Sequence, residues 1–303
     1  MSLLPDSITS QPLNTLAIPG SHNSFSSRIT KDSKPSPDGD VYDWIKYLPD
    51  SVASSLLYPW SVTQDVDMAE QLRVGIRYFD LRVAVRVNES GSDEFILVHG
   101  QYATPIADEL QSIVEFLRTY PKEVLLIDCN HCYEFETEKH TEDFELSVLN
   151  VLRPFLYPCT NAVPSLQDVW SAGKQVLFFS CQMTQNNTVF WPVSRMVSLW
   201  PNTDSPSEMI RYLDEHYGTK YSRNPNNFYV FQGVLTPTVS FVLNNLGGSL
   251  RQLANSAGQA FMTWLKDPQR TAGSSTLNIS LIDFVHTDFP DYASTVIKLN
   301  HST

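Results

Sequence analysis

Seven short apolar runs, each rich in β-branched or aromatic residues, recur from one end of the chain to the other. They are LNTLAIP (13–19), GIRYFDLRV (75–83), EFILVHG (94–100), EVLLIDCNH (123–131), QVLFFS (175–180), NFYVFQGVL (227–235) and LNISLIDFV (277–285). Strands buried on both faces have this character. Helical spacing fills the gaps between them. In 105–120, Ile106, Leu110, Ile113, Val114 and Leu117 recur at intervals of mostly three and four. Further helices are predicted over 141–156, over 240–266 and after Phe289. Strand–helix alternation along a whole chain predicts the α/β class, with a parallel sheet covered by helices and closed as a barrel. The closure is inferred from the alternation, because seven runs fall one short of eight.

A chain of 303 residues suits one such barrel, which commonly takes about 250. No internal repeat or low-complexity tract divides it. KDSKPSPDGD (31–40) reads as a surface loop and lies too near the N-terminus to separate two domains. The expectation is a single domain over 1–303, with the motif-bearing core at about 11–290. A net charge of −12 repels a phosphate backbone and argues against nucleic acid. It also disfavours broad adhesion to anionic lipid, so any membrane contact should come from a local apolar or aromatic rim. The first residues lack a basic and apolar leader, and no apolar run reaches about 18 residues, so the chain reads as cytoplasmic. Four cysteines (129, 132, 159 and 181) are too few for a disulfide scaffold. The C-x-x-C of Cys129 and Cys132 lacks the further ligands of a zinc site and reads as structural.

Polar residues gather at the C-terminal ends of the runs. His22 follows the first, Asp80 and Arg82 end the second, and His99 ends the third. Asp128 ends the fourth, and Asp283 lies near the end of the last. In α/β barrels these ends converge on one mouth, where catalytic groups sit. Two histidines titrate near neutrality, so one can take a proton while the other gives one. An arginine offers a planar donor fork that fits phosphate. Together these are the parts needed to cleave a phosphodiester by internal attack of a neighbouring hydroxyl.

LAIPGSHNSF, GIRYFDLRV, VHG, EVLLIDCNH and NISLIDFV, in that order, resemble the X domain of phosphatidylinositol-specific phospholipases C. The closer resemblance is to animal proteins that carry the X domain alone. WSVTQ, LTP and STVIKLN fit that group as well. The resemblance implies a single irregular (β/α)8 barrel of the TIM type. It implies a phosphoinositide lipid as substrate, with His22 as general base at the inositol 2-hydroxyl and Asp283 fixing its tautomer. His99 would be the general acid at the departing diacylglycerol oxygen, and Arg82 would neutralise the phosphorane oxygens, with Asp80 completing the catalytic set.

Arg82 stands where the large calcium-dependent signalling enzymes carry an acidic ligand, and where bacterial metal-independent enzymes carry arginine. No metal or other cofactor is therefore expected. Asn23, Asp80 and Asp128 form the oxygen set for the alternative, a Ca2+-dependent variant. Asn23 departs from the aspartate usual in near relatives and leaves a second alternative, a catalytically weak inositol-lipid-binding protein. A metal-dependent glycerophosphodiesterase is a third. Asn23, Asp128, Gln232 and Tyr229, with Ser180, are candidate substrate contacts. Trp191, Trp200 and Tyr58-Pro59-Trp60 read by default as packing helices on the barrel, and are the candidates if there is a membrane-facing rim. Oligomeric state and head-group preference are not readable from the chain.

Overall fold

A computed structural model describes residues 1–38, 49–88, 90–218, 222–245 and 247–301, with all their side chains except those of Asp50, Val239, Ser240 and Leu243. Its strands are β1 (Ile18–Ser21), β2 (Tyr78–Val87), β3 (Asp93–His99), β4 (Gln101–Pro105), β5 (Leu125–Tyr133), β6 (Val176–Ser180), β7 (Trp191–Pro192), β8 (Met196–Leu199), β9 (Phe228–Gln232) and β10 (Ile279–Ile282). Eight of them (β1, β2 and β5 to β10) stand side by side in chain order as the staves of an α/β barrel of the TIM type. β1 pairs in parallel with both β2 and β10. Among the described residues the ladder breaks between β7 and β8, which the single turn Val193–Arg195 joins.

The strand count from sequence needs two corrections. β7 and β8 have two and four residues, too short to show an apolar run. The run at 94–100 does form a strand, but not a stave. β2 continues past the barrel, β3 folds back antiparallel on its far half, and β4 pairs with β3. His99 therefore reaches the mouth from a hairpin. The helix predicted over 105–120 is Ile106–Ser112 and Val114–Thr119, broken at Ile113. That over 240–266 is Val239–Asn244 and Leu250–Leu265. Glu138–Leu152 and Tyr292–Lys298 match the remaining two predictions.

Alternation along the staves sorts their side chains into two cores. Ile18, Tyr78, Leu126, Leu177, Phe179, Phe228, Val230, Ile279 and Leu281 fill the interior. Phe79, Leu81, Ile127, Phe178, Phe231 and Ile282 pack outward beneath the helices. Each large side chain so buried contributes roughly 1.5–3 kcal/mol. Tyr78 lies level with Leu126, and Leu126 with Leu177. Gly20 makes room for this layer, since a Cβ there would lie 2.6 Å from Tyr78 Cδ1 and 2.8 Å from the Ser280 carbonyl oxygen. One alternation further along the same staves the residues turn polar: Asp80 after Tyr78, Asp128 after Leu126, Gln232 after Val230 and Asp283 after Leu281. The mouth is thus built by the parity that builds the core.

A disulfide, Cys132–Cys181, ties the end of β5 to the residue after β6 across 49 positions of sequence. The sequence reading expected no disulfide scaffold and proposed no pairing. A closure of this span contributes about 2–4 kcal/mol. No described helix is long and apolar enough to cross a membrane.

Candidate functional site at the barrel mouth

The chain leaves β1 through a tight turn that is satisfied almost entirely from within. Asn23 sits at φ 39°, a left-handed conformation that asparagine tolerates better than most residues. Its backbone N–H donates to Asp80 Oδ2 at 2.9 Å. Gln64 Nε2 donates to the carbonyls of His22 and Ile282, both at 3.0 Å, and Thr63 Oγ1 donates to the His22 carbonyl at 2.9 Å. Gln71 accepts from Ser21 Oγ and donates to the Ser24 carbonyl, both at 2.7 Å. Buried amides from 63–71 therefore fix the backbone that presents His22.

The His22 ring lies between two partners. Nδ1 donates to Asp283 Oδ1 at 2.7 Å, and Nε2 accepts from Asn23 Nδ2 at 2.9 Å. Asp80 Oδ2 lies 4.0 Å from Nε2. Asp283 is almost fully buried, so its carboxylate holds the ring in one tautomer with Nε2 turned to the cavity. The His99 ring lies edge-on to that of His22 with centroids 5.9 Å apart. Its Nδ1 donates to the Ser61 carbonyl at 2.8 Å, which leaves Nε2 as its other ring nitrogen. Burial, with Arg82 and His22 nearby, pushes His99 down to about 3. Gly100, at φ 67°, turns the chain directly after it, where a Cβ would meet Ser61 Oγ at 2.8 Å.

Arg82 lines the same cavity, and its Nε is buried without a hydrogen-bond partner. Among the described residues no carboxylate lies within salt-bridge distance of it. Asp80 is nonetheless held below the usual carboxylate range. Burial alone would raise it, and His22, Arg82, the Asn23 N–H and the Asn130 amide together outweigh that. The other acidic neighbour is Asp38, within the segment 31–40 whose composition predicts a surface loop. Residues 33–38 form a strap along β4. Gln101 Nε2 donates to the Ser33 carbonyl at 2.6 Å, Tyr102 N–H to the Lys34 carbonyl at 2.9 Å, and Ser36 N–H to the Gly100 carbonyl at 3.1 Å. The strap turns Asp38 inward, where it accepts the Gly100 N–H at 3.0 Å. Burial pushes its carboxyl up, opposed by Ser36 and Arg82. No local signal marks Asp38, since its place depends on pairing with β4. Residues 39 and 40 of that loop lie outside the described residues.

β5 carries a bulge opposite Leu81 and Arg82, with Leu81 level with Cys129 and Arg82 level with His131. The extra residue, Asn130, donates from Nδ2 to Asp80 Oδ1 at 2.6 Å and to Asp128 Oδ2 at 3.2 Å. Bulges re-aim side chains in this way, and here both Asn130 and His131 line the cavity. Asp128 Oδ2 also accepts from Tyr78 Oη at 2.7 Å. Burial is the main cause that pushes Asp128 up to about 7, with Asp80 adding to it.

Asp80 adjoins both other candidate ligands, accepting the Asn23 N–H and sharing the Asn130 amide with Asp128, and Asn23 Oδ1 and Asp128 Oδ1 are buried without partners. Asp80 already engages the Asn23 N–H and the Asn130 amide and faces Arg82. A fixed guanidinium repels a cation at the same point.

The cavity has a volume of about 870 Å3. Its far wall comes from β8, β9 and the segments after them, with Ser198, Trp200, Asn202, Asp204, Gln232 and Thr236. Gln232 Nε2 donates to Ser198 Oγ. One flank is apolar, formed by Leu57, Trp60, Leu235, Val242 and Leu250, and Phe241 packs edge-on against Trp60 at 6.1 Å. Three sequence candidates fall elsewhere. Tyr229 lies three residues from Gln232, so alternation turns it outward into the helix-facing core, where its phenol oxygen accepts the Asn224 N–H at 2.7 Å. Ser180 donates to the Gln182 carbonyl at 2.7 Å and does not line the cavity. Trp191 is fully buried in the barrel interior and is no rim residue.

No protein-family model matches the chain. Among curated proteins it is 34% identical over 303 residues to PI-PLC X domain-containing protein 2 of Mus musculus, covering 99% of this chain and 86% of the relative. It is 34% identical over 306 residues to PI-PLC X domain-containing protein 3 of Mus musculus, covering 99% and 92%. It is also 30% identical over 305 residues to PI-PLC X domain-containing protein 1 of Homo sapiens, covering 99% and 91%. The chain belongs to the PI-PLC X domain-containing proteins. The fold agrees with that family assignment. A phosphatidylinositol-specific phospholipase C from Staphylococcus aureus matches with a TM-score of 0.66 at 17% identity, covering 99% of this chain and 96% of that one. The phosphatidylinositol-specific phospholipase C from Listeria monocytogenes matches with a TM-score of 0.63 at 18% identity, covering 99% and 97%. These two matches establish the barrel of this PI-PLC X domain-containing chain.

Proposed function

We propose that the protein is a phosphodiesterase that cleaves phosphatidylinositol-type lipids by attack of the inositol 2-hydroxyl, releasing an inositol 1,2-cyclic phosphate and diacylglycerol. The observation that carries this reading is one cavity holding the imidazoles of His22 and His99, 5.9 Å apart by centroid, and an arginine with no carboxylate partner in salt-bridge range among the described residues. His22 Nε2 exchanges the Asn23 amide for the 2-hydroxyl and takes its proton, and Asp283 stabilises the imidazolium that results. The alkoxide attacks phosphorus. Arg82 neutralises the non-bridging oxygens as charge builds on them. His99 protonates the departing glycerol oxygen. Asn23, Asp80 and Asp128 orient these groups, and Gln232 lies on the wall that meets the ring.

Burial is the main cause that lowers His99 to about 3, and Arg82 adds to it. A phosphodiester anion on Arg82 offsets the part due to Arg82 and favours protonation of His99. The reaction proceeds without a metal, since Arg82 supplies the cation. The apolar flank with Trp60, and the half-exposed Trp200, give the lipid a peripheral contact. The depressed His99 and the amide at Asn23 favour one competing reading, a protein that binds inositol lipids with little turnover.

Phosphatidylinositol in mixed micelles, followed by phosphorus resonances with and without chelator, tests all of this. A five-membered cyclic phosphate should appear in both conditions. His22→Ala and His99→Ala should each reduce its rate by about 100-fold or more. Full activity in either variant removes the assigned roles. Loss in chelator with recovery on added Ca2+ removes metal independence, and binding without product establishes the competing reading.

A further inference from the structure

The C-x-x-C of β5 gains in the fold a third cysteine that it lacks in sequence. Cys129 and Cys132 are three apart, which on a regular strand puts side chains on opposite faces. The bulge at Asn130 adds one residue and returns both to the helix-facing side. Cys129 is level with Leu81 and Cys132 with Val83, and both of those partners belong to the outward core. Cys181, the residue after β6, reaches the same point, and its N–H donates to the Cys129 carbonyl at 3.0 Å. Among the described residues this is the one group of three metal-ligating side chains whose donor atoms converge, with all three sulfurs within 4.8 Å of one another. None of the three lines the cavity at the mouth.

The convergence does not depend on the Cys132–Cys181 bond. Cys129 is level with Ser180 in the ladder of β5 and β6. Ser180 Oγ donates to the Gln182 carbonyl at 2.7 Å and accepts the Gln182 N–H at 3.2 Å, and Thr141 Oγ1 donates to Gln182 Oε1 at 3.3 Å. These bonds hold Cys181 against β5 when its sulfur is released. Three thiolates on one zinc ion, each at about 2.3 Å, stand about 3.8 Å apart. The Cα atoms of Cys132 and Cys181 are 6.3 Å apart, and rotation about the two Cα–Cβ bonds brings their sulfurs to that spacing.

We propose that Cys129, Cys132 and Cys181 form a redox-gated site for a soft, thiophilic cation, zinc foremost, which exists only while the Cys132–Cys181 bond is open. A dithiol reductant supplies two electrons and two protons, is itself oxidised to a disulfide, and leaves two thiols on the chain. The cation then binds three sulfurs and displaces their three protons, and water takes the fourth position. Cys132 and Cys181 are partly exposed, which gives the ion its entry, while Cys129 is buried beneath them. With the bond closed only the Cys129 thiol remains, and one ligand does not hold the ion. The site lies outside the mouth and is independent of the phosphodiesterase reading.

The whole chain, reduced and then freed of reductant without air, is titrated with Cd2+, read by thiolate-to-metal charge-transfer absorbance, and with Zn2+ against a chromophoric chelator. One equivalent per chain should bind, and the chain with its disulfide intact should bind none. Bound Zn2+ should raise the urea midpoint of the reduced chain. It should also protect Cys132 and Cys181 from alkylation, while Cys159, which lies outside the cluster, keeps its reactivity. Cys129→Ala should weaken binding by roughly 100-fold or more, and Cys159→Ala should leave it unchanged. No stoichiometric binding by the reduced chain, equal binding by the oxidised chain, or binding that survives Cys129→Ala overturns the inference. Should Cys129→Ala fail to fold, alkylation of the parent chain decides: Cys132 and Cys181 left unprotected by Zn2+ overturn it, and their protection supports it.

Discussion

The two sides of the mouth are built differently. On one side β10, β1, β2 and β5 pair in an unbroken parallel ladder whose register shifts once, at the bulge of Asn130, and His22, Asp80, Arg82, Asp128 and Asp283 project from them or from the turn after β1. Many polar atoms there are hydrogen-bonded, while Asn23 Oδ1, Arg82 Nε and Asp128 Oδ1 are buried without partners. On the other side the ladder breaks between β7 and β8 among the described residues, and apart from Asp204 the side chains that face in are neutral or apolar. The proposed base and acid, His22 and His99, stand on a turn and a hairpin anchored to that sheet, which fixes the distance between them. A wall that only has to fit a ring can be assembled from loops and short strands.

Substitutions on the two sides sharpen that contrast. Asp283→Asn keeps the shape but removes the charge that orients and stabilises His22. It should lower kcat for phosphatidylinositol by about 10³-fold, and a loss below tenfold would deny Asp283 its assigned part. Cys132→Ser should lower unfolding free energy by about 2–4 kcal/mol, read from urea midpoints, because β5 loses its covalent tie to the segment after β6. Unchanged midpoints would show that the sheet alone holds that edge. Gln232→Ala, on the far wall, should raise KM by less than about tenfold and leave kcat nearly unchanged. A large fall in kcat there would erase the distinction between the two sides.

The smallest effect concerns pH and comes from the continuous side. His99 lies at about 3 instead of 6.5, so its contribution to stability is lost as pH falls below about 6.5. Asp128 lies at about 7 instead of 3.8, so the folded chain keeps a proton that the unfolded chain has released. Its contribution is present at low pH and lost as pH rises from about 4 to 7. The two slopes oppose one another between about pH 4 and 6.5. His99→Asn should therefore tilt stability downward with rising pH over that window, and Asp128→Asn upward, by at most about 1.4 kcal/mol per pH unit. Identical slopes in both variants and the parent would show that neither proton is displaced by folding.

Much of the reactive side was legible because it obeys alternation. Asp80 and Arg82 two apart, Asp128 at the end of its run and Asp283 after an apolar stretch mark one face and one end. The same rule, applied to β9, separates Gln232 from Tyr229, which lie three apart and so point to opposite faces. What escaped the sequence was long-range. Asp38 depends on a strap that pairs with β4, and Cys132 meets Cys181 across 49 positions. β7 and β8 are too short for any periodicity to register. Trp60 belongs to the helix Asp50–Ser61, whose position at the mouth follows from packing alone.

The barrel below the polar layer is solid. Tyr78, Leu126, Phe179, Phe228, Val230 and Leu281 fill it, and the Tyr78 hydroxyl seals against Asp128. Among the described residues there is no back exit. On the phosphodiesterase reading proposed above, an amphiphile enters polar end first and withdraws along the path it came by, so its hydrocarbon stays outside the barrel and release of the polar product precedes the next arrival.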